Sequence, residues 1–348
     1  MKTAIALVER GLIPRPLIRR GIRRLLAVRL QEQRAIWGAD PGKAMSAWVA
    51  SMASAPIALV PEKANEQHYE VPPGFFGHVL GSQRKYSSAF YPSASTTLDQ
   101  AEEAMLALTC ERADLQDGQD ILELGCGWGS LTLYMARRFP HCSITAVSNS
   151  NPQRKHIESV ADREGLTNLT VITADMNRFQ APHLVDRVVS VEMFEHMRNW
   201  EALLAKVATW LQPDGRVFLH VFAHKTFAYP FEVKGDDDWM SEYFFSGGMM
   251  PSHDMLDHLD TPFEVEERWK VSGTHYARTS EDWARNMDRK RKQIMPILAE
   301  TYGADQAKLW FQRWVVFFLS CAELFAWDHG DEWIVSHQRL RLKSQERA

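Results

Sequence analysis

The sequence has few cysteines, no long apolar run and no large excess of either charge. Its 348 residues include four cysteines and no C-x-x-C pair, which argues against a disulfide scaffold or a zinc knuckle and favours a reducing compartment. The sequence has no run of about 18 apolar residues, so it does not predict a transmembrane helix. The first apolar stretch is broken by Glu9 and Arg10 and is too short for a secretory signal. A net charge of −4 argues against a globally basic nucleic-acid binder. We therefore expect a cytoplasmic globular protein.

Charge is unevenly distributed along the chain. Residues 1–34 hold nine basic and two acidic residues, so this segment carries +7 and the remaining residues carry −11. A basic helix can bind an anionic membrane. It can equally pack on the acidic body through Ile18, Ile22, Leu25 and Leu26, which fall at helical spacing. We favour this intramolecular cap, and peripheral membrane contact stays open but is not favoured.

Short apolar strands alternate with helices between residues 98 and 225. The predicted strands are Asp120–Leu124, Ser143–Ser148, 169–174, Val185–Val191 and 216–221. Alternation at this spacing is typical of a parallel sheet that helices cover on both faces. We therefore predict an α/β fold with a Rossmann-like doubly wound sheet over residues 98–225.

The flanking regions read differently. Residues 1–97 predict an N-terminal helical cap segment, with a linker at 53–61. Residues 226–348 predict a C-terminal helical lid that shapes the substrate site, with helices near 280–298 and 306–325. The basic residues from His337 onward predict a frayed tail.

A glycine loop follows the first predicted strand and opens a helix. It contains Glu123, Gly125, Gly127 and Gly129 in the spacing E-x-G-x-G-x-G. Such glycines let the backbone approach a ligand closely at a helix N-terminus. The spacing is neither the G-x-G-x-x-G of dinucleotide binders nor a phosphate-binding P-loop. It resembles motif I of S-adenosylmethionine-dependent methyltransferases, and a tight turn without a ligand is the alternative.

Two further loops support a cofactor site, because ligands of open α/β sheets bind at the carboxyl ends of strands. The loop after the second strand carries Asn149 and Gln153, where amides would take the place of the usual acid that binds the ribose hydroxyls. The third strand is followed by Asp175 and Met176, which suit the adenine amino group and ring. An ordinary turn or helix cap is the alternative for Asp175.

A longer series of motifs identifies a family. In order they are HYEV…FF, Tyr86-Ser87-Ser88, LELGCGWG, VSNS..Q, VEMFEHM, HKTFAY, HYARTSEDW and ELF. Together they resemble the cyclopropane-fatty-acyl-phospholipid synthase-like methyltransferases, and within them the coclaurine N-methyltransferase group of plant alkaloid enzymes. The resemblance covers essentially the whole chain. It implies the class I S-adenosylmethionine-dependent methyltransferase fold, S-adenosyl-L-methionine as cofactor, and cofactor contacts at Tyr86 and Ser87.

The segment EMFEH at the end of the fourth strand supplies two acids and a histidine, Glu192, Glu195 and His196. Methyl transfer to an amine needs a neutral nitrogen, so a carboxylate can bind the ammonium and a histidine can accept its proton. The resemblance implies that Glu192 and His196 are catalytic and that Glu195 supports them. The alternative is that Glu195 and His196 only cap the next helix.

The resemblance also offers a comparison between substrates. Cyclopropane synthases hold a bicarbonate ion, and their ligands for it match Glu195, His220 and Tyr276. Two positions differ, because the synthases carry Cys in place of Ser88 and Gly in place of Glu192. A second anion beside Glu192 would be repelled by roughly a few kcal/mol. These differences favour an amine acceptor over an alkene.

The substrate or anion pocket is expected to contain Ser88, His220, Phe227, Tyr276 and Phe318. Aromatic ring faces would favour a sulfonium ion and an organic ammonium ion. Aromatic stripes at helical spacing are more often core than ligand contacts, so that alternative stays open for each ring.

The sequence thus predicts an N-methyltransferase that acts on a small amine, such as a benzylisoquinoline-like alkaloid. The alternative is a cyclopropane-fatty-acyl-phospholipid synthase or a fatty-acyl C-methyltransferase acting on membrane lipid. A third hypothesis is a cofactor-binding regulator on an inactive scaffold. We expect no metal, interpret residues 236–238 as a solvated turn, expect no nucleic-acid partner, and leave a homodimer open.

Overall fold

The computed structural model describes residues 2–38, 40–59, 72–232 and 239–344. Its strands are β1 (Asp120–Leu124), β2 (Ser143–Ser148), β3 (Leu169–Thr173), β4 (Val185–Val191), β5 (Leu211–His224), β6 (Tyr229–Pro230), β7 (Met249–Met250), β8 (Phe263–Val271) and β9 (Trp333–Leu342). Its helices are α1 (Lys2–Glu9), α2 (Arg15–Trp37), α3 (Pro41–Ala53), α4 (Pro73–Val79), α5 (Leu98–Arg112), α6 (Ser130–Arg138), α7 (Asn151–Glu164), α8 (Trp200–Ala208), α9 (Trp239–Tyr243), α10 (Gly273–Arg289), α11 (Arg291–Tyr302) and α12 (Ala307–Ala326).

A seven-stranded sheet in the order β3-β2-β1-β4-β5-β9-β8 organises the described chain. Strands β1 to β5 pair in parallel, and four of the five residues of β1 are buried, as expected for a strand covered on both faces. The α/β prediction is therefore confirmed. The chain steps outward from β1 in one direction through β2 and in the other through β4. This switch point opens a crevice at the carboxyl ends of the strands.

Two antiparallel strands that the sequence analysis did not predict complete the sheet. β9 lies between β5 and β8 and pairs antiparallel with both. The prediction of a frayed tail from His337 is wrong for residues up to Leu342. Cross-strand ion pairs explain how so basic a strand is accommodated, because Arg341 Nε lies 2.6 Å from Glu264 Oε1 and Arg339 Nε lies 2.7 Å from Glu266 Oε2.

The predicted linker at 53–61 is also wrong for its described part. Asn199 Nδ2 donates to the carbonyl oxygens of Ala53 and Ala55 at 3.0 and 2.9 Å. The backbone amide of Ala58 donates to Asn177 Oδ1 at 3.1 Å. This segment therefore packs against the sheet core and brings Ala58 to the crevice described below.

The C-terminal helices form a second apolar cluster beside the sheet. The predicted single helix at 280–298 is two helices, α10 and α11, which meet at Lys290. One described segment, Ala307–Gly330, is long and apolar enough to cross a membrane by length and composition alone, although the sequence has no continuous apolar run of that length. In the apolar 18-residue stretch of this segment, 56% is buried inside the protein, so packing in the core accounts for much of its apolar surface.

Candidate active site

A cavity opens at the carboxyl ends of β1 to β4. Its lining comes from the loops after these strands, from the start of α7, and from two more distant segments. The lining residues are Ala58, Gly125, Gly127, Val147, Ser148, Asn149, Gln153, Ala174, Asp175, Met176, Glu192, Met193, His196, Met197 and Ser246. Six predicted cofactor residues and two predicted catalytic residues are thus brought together in one cavity.

The glycine loop shapes the floor of this cavity. Gly125 and Gly127 both have positive φ, 81° and 52°. A Cβ atom on Gly125 would lie 2.6 Å from the side chain of Met193, whereas one on Gly127 would meet nothing within 4 Å and would project into open space. Gly125 therefore allows close packing against the loop after β4. Gly127 leaves backbone exposed to a ligand, as a cofactor cradle requires.

Polar groups suited to a nucleoside lie at the ends of β2 and β3. Gln153 is almost fully buried, its Oε1 accepts from Ser148 Oγ at 2.7 Å, and its Nε2 has no partner among the described residues. Asp175 Oδ1 accepts from the backbone amide of Asn177 at 2.9 Å. A buried amide donor without a partner, facing a cavity, fits the hydroxyl groups of a bound ribose.

The other four predicted cofactor residues are not part of the lining. Glu123 is buried and accepts from Thr132 Oγ1 at 2.5 Å, and burial raises its pKa to about 7. Gly129 caps α6 and packs against Ile157. Tyr86 packs between Phe76 and Trp283. Ser87 is buried beside Lys85. Their role toward the cofactor remains a prediction.

Glu192 is held by three donors from three separate parts of the chain. Its Oε1 accepts from the backbone amide of Ser88 at 2.9 Å and lies 3.2 Å from His220 Nε2. Its Oε2 accepts from the Tyr276 hydroxyl at 2.6 Å. Burial raises the pKa of Glu192, and nearby Lys85 and these hydrogen bonds oppose the rise. Three predicted pocket residues, Ser88, His220 and Tyr276, therefore act on Glu192.

Lys85 is a functional candidate that the sequence analysis missed. It is 2% exposed, and its ammonium donates to Ser87 Oγ at 2.5 Å and to the carbonyl oxygen of Ser88 at 2.8 Å. Burial lowers its pKa to about 8, against the attraction of Glu192. Its position immediately before the Tyr86-Ser87-Ser88 motif is the signal that could have identified it.

His196 follows Glu192 by one short turn, the 3-10 helix Phe194–His196. Its imidazole stacks on the Phe245 ring, with centroids 4.5 Å apart and planes 22° apart. Burial lowers its pKa to about 4, and Glu192 only partly offsets this effect. The histidine is therefore neutral near pH 7, and burial also makes it a weaker base than an exposed imidazole.

Glu195 lies behind the cavity and not in its lining. It is fully buried, its Oε1 accepts from the backbone amide of Phe222 at 2.7 Å, and its Oε2 has no partner among the described residues. Burial and the charge of Glu192 raise its pKa well above the ordinary value. A protonated Glu195 anchored to β5 can support the EMFEH turn without adding a second negative charge.

Two predicted pocket residues lie elsewhere. Phe318 is fully buried on α12 between Trp283 and Trp314, so it is a core residue. Phe227 stacks on His224 at 4.7 Å and does not line the cavity. Neither ring lines the cavity, because the inward face of α12 and the loop after β5 pack on their own neighbours, and their role in substrate binding stays a prediction.

No group of three or more His, Cys, Asp or Glu residues in the described part of the chain could hold a metal ion. The acidic residues 236–238, interpreted from the sequence as a solvated turn, lie outside the described residues.

Known proteins match the chain over nearly its whole length. The family model for mycolic acid cyclopropane synthetase matches residues 60–333. The (S)-coclaurine N-methyltransferase of Thalictrum flavum subsp. glaucum is 37% identical over 345 residues, which cover 97% of this chain and 94% of that protein. The cyclopropane-fatty-acyl-phospholipid synthase of Escherichia coli (strain K12) is 30% identical over 266 residues, which cover 75% of this chain and 63% of that protein.

A solved structure agrees with these sequence matches. The crystal structure of coclaurine N-methyltransferase bound to N-methylheliamine and SAH is 37% identical to this chain and has a TM-score of 0.91. The match covers 97% of this chain and 99% of the chain in that crystal structure. The glycine cradle and the unpartnered amide of Gln153 fit the cofactor of such enzymes. The chain therefore belongs to the mycolic acid cyclopropane synthetase family and is an S-adenosylmethionine-dependent methyltransferase.

Proposed function

We propose that the protein methylates the nitrogen of a small aromatic amine of the benzylisoquinoline type. One observation carries the proposal. The carboxylate of Glu192 already occupies the donors offered by Ser88, His220 and Tyr276. Two of these residues are the ones that the family resemblance assigns to bicarbonate in cyclopropane synthases, so here a side chain of the protein supplies the anion.

Electrostatics argue against a bicarbonate ion beside this carboxylate. Two unit negative charges about 4 Å apart repel each other by about 4 kcal/mol at an effective dielectric constant of about 20. The same carboxylate attracts a cation at the mouth of the cavity. The site therefore suits an acceptor that arrives as an ammonium ion better than a neutral alkene.

The roles of the side chains follow from their positions in the cavity. When bound, S-adenosylmethionine supplies a methyl group on a positively charged sulfur. Glu192 binds and orients the substrate ammonium, and neutral His196 accepts its proton on an imidazole nitrogen. The freed nitrogen lone pair forms the new C–N bond while the C–S bond breaks. Positioning of the two reactants contributes much of the remaining acceleration.

Aromatic residues next to His196 favour an aromatic amine. Phe245 stacks on His196 and contacts Phe222 and Phe231 edge to face, with centroids 5.5 and 5.0 Å apart. Rings of this kind stabilise an organic ammonium ion through their faces. The names of the relatives agree, since the matched enzyme acts on coclaurine and the matched structure holds N-methylheliamine.

The substitution Glu192→Gln tests the proposal, because it keeps the shape of the side chain and removes the charge. We expect kcat/KM for coclaurine to fall by about 100-fold or more, since ammonium binding and proton removal both depend on that charge. Glu332→Gln is the matched control. Glu332 is also buried and also accepts from a histidine of β5, His224, at 3.1 Å, but it does not line the cavity.

The same assay includes vesicles of unsaturated phospholipid as a second acceptor. Methylated amine from the wild type and from Glu332→Gln, with little from Glu192→Gln, supports the proposal. Cyclopropane or methyl-branched acyl chains with no methylated amine would instead establish the lipid enzyme. A cytoplasmic location remains a prediction.

A further inference from the structure

Four side chains form a hydrogen-bonded line from the C-terminal end of α5, across β9 and β5, to Glu192. Arg112 Nη1 lies 2.8 Å from His337 Nδ1, and His337 Nε2 lies 2.9 Å from His220 Nδ1. His220 Nε2 lies 3.2 Å from Glu192 Oε1. The two histidines are register partners on β5 and β9, so the sheet itself fixes their spacing.

The chemistry of the two ends gives this line a direction. A guanidinium group only donates, so His337 Nδ1 must accept from Arg112 and the ring hydrogen of His337 must be on Nε2. That hydrogen is donated to His220 Nδ1, which leaves the ring hydrogen of His220 on Nε2. Glu192 as a carboxylate only accepts, and it receives this last hydrogen. All three contacts are satisfied by one arrangement of protons.

Burial agrees with two neutral rings. His220 and His337 are both fully buried, and burial together with neighbouring positive charge lowers the pKa of each well below its usual range. An extra proton on either ring would remove the acceptor atom and break a contact in the line. Burial therefore favours the neutral rings that the line requires.

Other titratable groups also act on the members of the line. Lys85 acts on both histidines through its charge, and Glu267 and Glu111 act on Arg112. Several groups surround Glu192 or act on it through their charge. They are Lys85, His196, Tyr276, Glu195 and Cys321.

We propose that Arg112 and His337 are positioning residues, which hold His220 as an Nε2–H donor to Glu192. This inference rests on the proposed function, and it assigns different roles to the two histidines His220 and His196. His220 has no free lone pair and orients the carboxylate, so it is not the group that accepts the substrate proton. The positive charge at Arg112 also favours the ionised form of Glu192 through the polarised line.

The test compares His337→Gln with His337→Phe. A glutamine side chain has an acceptor oxygen for Arg112 and an amide hydrogen for His220, so it can keep the direction of the line, whereas phenylalanine interrupts it. We expect His337→Phe to move the acid limb of the kcat/KM profile to higher pH by about one unit, which lowers kcat/KM about tenfold at pH values on that limb and leaves the plateau above it unchanged. We expect His337→Gln to stay within about threefold of the wild type. Ser336→Ala replaces the buried residue that precedes His337 in β9, and it controls for general damage to the strand.

If His337→Phe does not fold, Arg112→Met interrupts the same line from its half-buried end. The methionine replaces the aliphatic part of Arg112 and keeps its packing on Trp269. In the wild type the guanidinium carbon of Arg112 lies 5.0 Å from the centroid of the Trp269 ring. Arg339→Met is the matched control, because Arg339 also lies over Trp269, at 5.7 Å, and contacts the line only through the backbone carbonyl oxygen of Arg112, to which it donates at 3.1 Å. We expect the acid limb to move with Arg112→Met and not with Arg339→Met.

A spectroscopic measurement separates this inference from the proposed function. In ¹⁵N-labelled protein, the imidazole nitrogens of His220 and His337 should report neutral rings with hydrogen on Nε2 from pH 5 to 8, whatever substrate the enzyme uses. Hydrogen on Nδ1 of either ring, or a doubly protonated ring, would overturn the inference. An acid limb that is the same in folded His337→Phe, His337→Gln and wild type would overturn it as well. Failure to methylate amines, with the expected ring states, would contradict the proposed function alone.

Discussion

At the scale of single residues, Glu192 combines an unfavourable backbone conformation with a well-held side chain. Its φ is 48°, in the left-handed region where a residue with a Cβ is strained by about 1–3 kcal/mol. Glycine adopts this φ without strain, and the family resemblance places glycine here in cyclopropane synthases. The three donors to the carboxylate offset the strain. The exchange of glycine for glutamate therefore has a physical cost that a catalytic anion explains.

The base role of His196 predicts a pH-dependent defect in His196→Asn. The pKa of His196 is lowered to about 4, so the ring is neutral throughout the neutral range and protonates only well below it. We expect kcat/KM at pH 7 to fall by about 100-fold. The defect should shrink as pH rises toward the pKa of the amine, because the substrate then arrives without the extra proton. Initial rates between pH 6.5 and 9.5 measure this.

His253→Asn is the control for the His196 prediction, since His253 is bonded to Ser336 at 2.9 Å and does not line the cavity. It should follow the wild-type profile. A defect in His196→Asn of the same size at every pH would mean that His196 binds or orients the substrate without accepting its proton.

Some residues of the site can be predicted from the local sequence, whereas others depend on how distant segments pack together. Glu192 and His196 were predictable, because an acid and a histidine at a strand end next to a glycine loop indicate chemistry on their own. Phe318 was not, since the sequence does not say which face of a helix meets the cavity and which meets the core. Arg112 and His337 were missed because only the pairing of β5 with β9 brings them together.

At the scale of elements, ion pairs fasten α2 to the C-terminal helices. Arg19 lies 2.7 Å from Glu323 and 2.6 Å from Glu281, and Arg23 lies 3.0 Å from Glu323. Ile18, on the same helix, is 6% exposed in the C-terminal cluster. Part of the positive charge of the N-terminal segment is thus used within the molecule.

Glu323→Gln should loosen α2. Glu323 is largely buried and accepts from two arginines, so neutralising it removes charge-assisted hydrogen bonds worth about 1.5–3 kcal/mol each. We expect faster hydrogen exchange across α2 with little change in the sheet. Glu32→Gln is the control, because the pair of Glu32 with Arg29 at 3.5 Å lies within α2 itself. Equal exchange in the two variants would show that the ion pairs of Glu323 do not hold α2 in place.

The core elements could be predicted and the C-terminal strands could not. β1, β2 and β4 have the bounds that their apolar runs predicted, because strands buried on both faces are written as continuous apolar segments. β8 carries three glutamates, an arginine and a lysine, and the second half of β9 carries two arginines, so neither resembles a buried strand by itself. Their charges cancel only across the pair, which is a property of the register and not of either segment.

At the scale of the whole molecule, displaced pKa values predict how stability depends on pH. Seven described histidines have a lowered pKa, namely His156, His196, His220, His224, His253, His275 and His337. Four glutamates have a raised pKa, namely Glu102, Glu123, Glu192 and Glu195. The histidines protonate in the unfolded chain below pH 6.5 and stay neutral in the fold, so they reduce stability as pH falls.

The glutamates act in the opposite direction. They keep their protons in the fold up to higher pH than in the unfolded chain, so their contribution is complete below about pH 4.5 and is lost as pH rises. The histidines are more numerous, so we expect the melting temperature to fall as pH decreases from 6.5 to 4.5. Thermal unfolding across pH 4.5–7.5 measures this. A melting temperature that rises on acidification would show that the buried carboxyls dominate.

The position of β9 between β5 and β8 has a consequence for biosynthesis. His337 pairs with His220 across 117 residues of sequence, which a ribosome takes roughly 6–23 s to add. Throughout that interval β5 is an unpaired edge, and such edges recruit other strands. A nascent chain would already hold its glycine loop, yet would lack the donor behind His220. Cofactor affinity should therefore appear before catalytic competence, and a chaperone that shields strand edges would be most useful to this protein while the residues between β5 and β9 are translated.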